Sequence, residues 1–121
     1  MDLPLESIPD GWTTDPAEIQ FELIWKGPES EGQKMARRFG LSSPQVVMTS
    51  RRETGVPEAM FESDNRCFIW DQMDDTVWQI TKPVGLMSVL HTMVTKGQKA
   101  LKAKELATVE VWEDEDSKYT E

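Results

Sequence analysis

Arg66-Cys67-Phe68-Ile69-Trp70-Asp71, joined through Gln72-Met73-Asp74-Asp75 to Thr76-Val77-Trp78-Gln79-Ile80-Thr81, is the stretch whose reading decides the fold. Both six-residue runs are rich in β-branched and aromatic residues, and the connector is short and polar. This pattern predicts a β-hairpin with a four-residue loop. Side chains alternate across a strand, so Trp78 and Ile80 share one face and Val77 and Gln79 the other. Trp70 is then placed to pair across the hairpin with an aromatic or β-branched neighbour.

Downstream, Pro83 opens a different periodicity. Leu86, Val89, Leu90, Met93, Val94, Gly97, Ala100 and Leu101 recur at three- and four-residue intervals, which predicts an amphipathic helix over about 84–104. Gly97 weakens such a helix by roughly 1 kcal/mol relative to Ala and marks where it can break. Leu106, Thr108, Glu110 and Trp112 alternate with Ala107, Val109 and Val111, a pattern read as a last strand.

Upstream, Pro4, Pro9, Gly11 and Pro16 make residues 1–17 an extended arm, with Leu3, Leu5, Ile8 and Trp12 as apolar pins. Ile19, Phe21, Leu23 and Trp25 alternate with Gln20, Glu22, Ile24 and Lys26, and this period predicts a strand ended by Gly27-Pro28. Ser30, with Gln33 three residues on, is a capping signature for a short helix over about 30–39, and Gly40 suits its C-terminal stop. Pro44 is followed by a β-prone run, Gln45 to Ser50. Glu58 to Glu62 fits a short strand or one turn of helix.

The resulting expectation is an α+β domain. It has a small antiparallel or mixed sheet, with one long helix (about 84–104) and one short helix (about 30–39) packed on it. With 121 residues the chain makes one domain, read as arm 1–17, globular unit 18–112 and acidic tail 113–121. No basic segment precedes an apolar run at the N-terminus, Met1 reads as a natural start, and no apolar stretch nears the roughly 20 residues that span a bilayer. The lone Cys67 excludes a disulfide within the chain and fits a reducing compartment. These features place the protein in the cytoplasm or elsewhere inside the cell, away from membranes.

Charge is sorted along the chain. Its net value is −9, yet residues 76–104 hold five lysines (Lys82, Lys96, Lys99, Lys102, Lys104) and no carboxylate. Beyond them, seven carboxylates (Glu105, Glu110, Glu113, Asp114, Glu115, Asp116, Glu121) meet Lys118 alone. Such sorting speaks about electrostatic partners more than about fold. The overall negative balance argues against general nucleic-acid affinity, which depends on neutralising phosphates.

No nucleotide-binding glycine loop, nucleophile elbow or Cys-x-x-Cys pair occurs. Asp71, Asp74 and Asp75 group three carboxylates around the hairpin turn, where a hard cation could find oxygen ligands, although Asp is also simply a favoured turn residue. His91 is the only histidine and Cys67 the only thiol, so a zinc site of nitrogen and sulfur ligands cannot be assembled within one chain. Ser88 precedes His91 by one helical turn, but no acid lies in that segment to orient a catalytic relay. Cys67, between Arg66 and Phe68, reads as a buried strand cysteine. The only tyrosine, Tyr119, sits in the tail.

Three functional classes follow. The first is a non-enzymatic protein-binding module (a regulator, adaptor or inhibitor) whose acidic surface meets a partner with a basic one. Trp12, Trp70, Trp112, Glu113, Asp114, Glu115 and Asp116 are its contact candidates. The second is a small carboxylate- or metal-dependent enzyme at Asp71–Asp75. The third is an RNA or single-strand binder using a basic face of Lys96, Lys99, Lys102, Lys104, Arg51 and Arg52, with Arg37 and Arg38 as a further basic pair. The first needs no cofactor and no metal. Opposite signs on one chain also permit self-association, and they permit the acidic tail, with Ser117 as a modifiable position, to occupy the basic helix end.

Overall fold

A computed structural model describes residues 5–51 and 58–109. Its centre is a six-stranded antiparallel sheet in which neighbours in sequence are neighbours in space: β1 (Trp12–Thr13), β2 (Gln45–Ser50), β3 (Glu58–Ser63), β4 (Arg66–Asp71), β5 (Thr76–Lys82) and β6 (Lys102–Glu105). Three α-helices accompany it: α1 (Pro16–Ile19), α2 (Glu31–Arg38) and α3 (Leu86–Lys96).

The hairpin forms as its residues predict. Trp70 stands opposite the β-branched Val77, and Ile69 opposite Trp78. The alternation also extends to β3, and it divides the core in two. Met60, Cys67, Ile69 and Ile80 point to one side, where Leu86, Val89, Leu90 and Met93 of α3 meet them with Trp12 and Met48. Ala59, Phe61, Phe68, Trp70 and Val77 point to the other, against Ile19, Trp25, Met35, Ala36 and Phe39. Phe61 and Phe68 stack there with ring centroids 5.2 Å apart, and Trp25 meets Trp70 edge-on at 5.7 Å. The central strands are thus buried on both faces, which explains why β4 reads as a nearly continuous apolar run.

The expected fold of one long helix on a small sheet is therefore corrected on three points. The long helix ends at Lys96, because Gly97 adopts φ 91° and closes it through its N–H to the carbonyls of Met93 and Thr92. A short 3-10 turn, Gln98–Ala100, follows, and Lys102–Glu105 then pairs with β5 instead of continuing the helix. Secondly, the alternating segment 19–26 is not a strand. Asp15 caps α1 by accepting from Ala17 N at 3.0 Å, Pro16 occupies its first turn, and a π-helical turn spans Phe21–Trp25. Thirdly, the strand expected at 106–112 lies earlier. Residues 106–109 leave the sheet, with Leu106 N donating to Val77 O and Val109 N to Arg38 O, each at 2.8 Å; residues 110–112 lie outside the described residues.

Other local signals hold. Ser30 Oγ accepts from Gln33 N at 3.3 Å and opens α2, and Gly40 follows its end with φ 70°. Residues 45–50 and 58–63 are strands. The N-terminal segment contributes β1 and buries Trp12. Among the described residues no helix is long and apolar enough to cross a membrane.

Candidate functional site

The two edges of the sheet differ, and the difference locates the candidate site. β6 is exposed along its length and presents Lys102 and Lys104. Charged residues, lysine above all, are a common guard against unwanted strand addition at an edge. At the opposite side, β1 pairs only with Thr49 and Ser50. From Gln45 to Met48 the outer side of β2 has no strand neighbour among the described residues, and it carries no charge. A bulge at Val47 re-aims the side chains there.

A cleft of about 980 Å³ opens alongside this stretch of β2. Gln45, Val46 and Val47 line one side of it; Asp15, Phe21, Trp25, Lys26 and Gln33 line the other. α1 and the π-helical turn create this wall because Ile19 and Trp25 reach into the core and leave Phe21 40% exposed. Trp25 is only 3% exposed, yet its indole N–H has no partner among the described residues. The charged residues that line the cleft are Asp15 and Lys26. Lys26 pairs with Glu22 at 3.2 Å.

At the end of the cleft strand, Arg51 reaches back to α1. Its Nη2 donates to Glu18 Oε1 at 3.0 Å, and the Thr13 hydroxyl donates to the same carboxylate. Those hydrogen bonds, Arg51 first and Thr13 second, hold the Glu18 carboxyl below its ordinary value against the opposing effect of burial. Arg51 N also donates to Gly11 O at 2.6 Å, so β1 and the end of β2 are fastened together.

The residues singled out in the sequence are dispersed. Trp12 and Trp70 are 7% and 4% exposed and belong to the two halves of the core, so neither offers a surface to a partner in this fold. Trp112, Glu113, Asp114, Glu115, Asp116, Ser117 and Tyr119 lie outside the described residues, as does Arg52. Lys96 ends α3, Lys99 sits in the 3-10 turn, and Lys102 and Lys104 lie on β6. Arg51 is four strand spacings from β6, about 19 Å, and already serves Glu18. These cations do not form one continuous basic face. Arg38 pairs with Asp75, and Arg37 donates to Pro28 O at 3.1 Å.

The aspartates of the hairpin have structural employment. Asp71 Oδ1 accepts from Met73 N at 3.1 Å and Asp74 N at 3.4 Å, closing the turn. Asp75 Oδ1 takes Arg38 Nη2 and Trp70 Nε1. Among the described residues no group of three His, Cys, Asp or Glu side chains is arranged to hold a metal ion. His91 is exposed on the outer side of α3, beside exposed Ser88. Cys67 is buried, and burial pushes its thiol up to about 11, with Glu62 adding to the shift.

Sequence reasoning missed Phe21 and Leu23 because it laid them on a strand, and missed the outer side of α3. The second had a legible signal: no charged residue occurs from Pro83 to Thr95, whereas an ordinary surface helix carries charge on its solvent side. Comparison with known proteins finds no matching family model, no matching curated protein and no matching solved structure.

Proposed function

We propose that this protein is a non-enzymatic protein-binding module that takes an extended segment of a partner into the cleft beside β2. The observation that carries this reading is the uncharged edge at Gln45–Met48, without a strand neighbour among the described residues and alongside that cleft, while the other edge of the same sheet is guarded by lysines. An added strand gains main-chain hydrogen bonds from such an edge, and side-chain pockets on alternate positions supply selectivity. Phe21 offers an aromatic contact, and the Trp25 indole N–H supports the reading as a donor in want of an acceptor. The chain's net charge of −9 favours a partner with a basic surface and speeds its approach by steering.

The test is recovery of partners from native cell extract by the intact protein at low and high salt, in parallel with Gln45→Lys, which adds to β2 the guard that β6 already has. Gln45 is exposed, so the fold tolerates the change. The expected result is a stoichiometric protein lost on Gln45→Lys, with slowed amide exchange at Gln45–Val47 in the complex. Retention of the same partner by the variant, with unchanged exchange at β2, would sink the proposal.

A further inference from the structure

The cleft beside β2 has a continuation. It shares Thr14 and Asp15 with a second hollow, of about 400 Å³, that passes Gly11 and Arg51 beside β1. That hollow shares Ile8, Pro9, Asp10 and Trp12 with a third, of about 510 Å³, whose other wall is the end of α3 at Met93, Val94 and Gly97. Among the described residues β1 is the last strand on this side of the sheet. The three hollows therefore follow one another around the sheet's margin, from the half of the core that holds Ile19 and Trp25 to the half beneath α3.

The ends of this path differ in chemistry. At the β2 end lies Trp25, 3% exposed, with an indole N–H that has no partner among the described residues. The cation there, Lys26, is paired with Glu22, and the cation midway, Arg51, is held by Glu18. At the α3 end Ile8, Trp12 and Met93 supply apolar surface, and the charged groups are two exposed carboxylates, Glu6 and Asp10. Glu6 sits on the 3-10 turn Leu5–Ser7, and Asp10 on a turn closed by Trp12 N donating to Pro9 O at 3.2 Å. Lys96 and Lys99 are near in sequence to this end but do not line it. Neither Glu6 nor Asp10 is ion-paired among the described residues.

We infer that the partner segment seated along β2 continues around β1 and places a lysine or arginine between Glu6 and Asp10. Such a side chain lays its aliphatic stem on apolar surface and keeps its charged head at the rim, which is the arrangement that Ile8, Val94 and the two carboxylates offer. Ser50 stands opposite Trp12 and lies three strand residues beyond Val47, about 10 Å. The basic residue is therefore separated from the run paired with β2 by about four to eight residues of extended chain. The inference rests on the cleft reading and adds the chemistry of the segment that the cleft selects.

The experiment is selection from a displayed library of random peptides of about 14 residues, long enough to span the path. The baits are the full chain, the double variant Glu6→Gln with Asp10→Asn, and Gln45→Lys. All three positions are exposed. Wild type is expected to enrich peptides that join an uncharged β-prone run to a Lys or Arg at a fixed spacing. The double variant is expected to keep the run and lose the basic position, and Gln45→Lys to enrich neither. A peptide selected on wild type should bind the double variant about fivefold more weakly at low salt, as two exposed charge contacts allow, and the difference should shrink at about 1 M salt. Enriched peptides without a basic residue at fixed spacing, the same basic position kept by the double variant, or no enrichment at all would each overturn the inference. If the run is lost on Gln45→Lys while the double variant selects as wild type does, this inference fails and the cleft reading stands. If Gln45→Lys selects as wild type does, the cleft reading fails and takes the inference with it.

Discussion

The indole N–H of Trp70 donates to Asp75 Oδ1 at 3.1 Å, and the same oxygen receives Arg38 Nη2 at 2.7 Å. One turn residue of the hairpin therefore satisfies a core tryptophan of β4 and ties α2 to the hairpin turn. Asp75 has φ 55°, a conformation that Asp and Asn adopt more readily than other non-glycine residues. The carboxylate cluster that suggested chemistry in the sequence is here a fastening between layers.

Asp75→Ala leaves the N–H of a 4% exposed tryptophan without an acceptor, at a cost of about 1–3 kcal/mol. The ion pair with Arg38 is itself half-exposed and contributes within about 1 kcal/mol. Asp75→Asn keeps an acceptor oxygen and the tolerated backbone. Urea unfolding should show Asp75→Ala the less stable of the two. Equal losses would assign the stabilisation to the charge of Arg38 instead of the indole.

Gly32→Ala should destabilise the protein even though Ala is the better helix former by about 1 kcal/mol. A Cβ at this position of α2 would stand 2.6 Å from Trp25 Cε3 and 3.0 Å from the Ile24 carbonyl oxygen. Overpacking of this kind costs about 1–3 kcal/mol, enough to outweigh propensity. A raised midpoint in thermal or urea unfolding would contradict the close approach of the π-helical turn to α2.

Cys67 should resist alkylation while the protein is folded. The thiolate is the reactive species, and with the thiol pushed up to about 11 little thiolate exists at pH 8. Labelling by a disulfide reagent at pH 8 should proceed only at the rate at which the fold opens, and should become immediate in denaturant. Fast labelling of the native protein would place Cys67 outside the core.

Glu18 ties stability to pH. Its folded value is lowered by Arg51 and Thr13, so its contribution is present above the unfolded value, about 4.3, and is lost as pH falls through the folded one. Glu18→Gln should therefore be less stable than wild type at neutral pH, and the gap should narrow below about pH 4. A gap of the same size at pH 3 and pH 7 would show that the ionised carboxylate is not what Arg51 holds.

Local chemistry made much of the fold legible. β-branched and aromatic runs around Gln72–Asp75 specify a hairpin, Ser30 with Gln33 specifies the start of α2, and Pro44 separates α2 from β2. Each of these rests on neighbours within a few residues, so a sequence reading reaches them. The candidate site was far less legible. Its cleft joins α1 to β2, which lie nearly thirty residues apart, and no motif marks the unpaired edge of a strand.

Two elements were decided by the tertiary structure against the local signal. Ile19 to Trp25 alternates like a strand, but the Asp15 cap and Pro16 start a helix, and a helix with a π turn lets both Ile19 and Trp25 reach the core beside Phe61 and Trp70. Lys102-Ala103-Lys104-Glu105 consists of good helix formers, yet it is a strand. β5 presents an unpaired edge, and the hydrogen bonds of a sheet outweigh differences in propensity of a few tenths of a kcal/mol per residue. Sequence alone determined which segments were apolar, where turns fall, and that acid and base are segregated along the chain. Only the fold could decide that, among the described residues, β2 has no strand neighbour along Gln45–Met48, because strand pairing depends on contacts between residues distant in sequence.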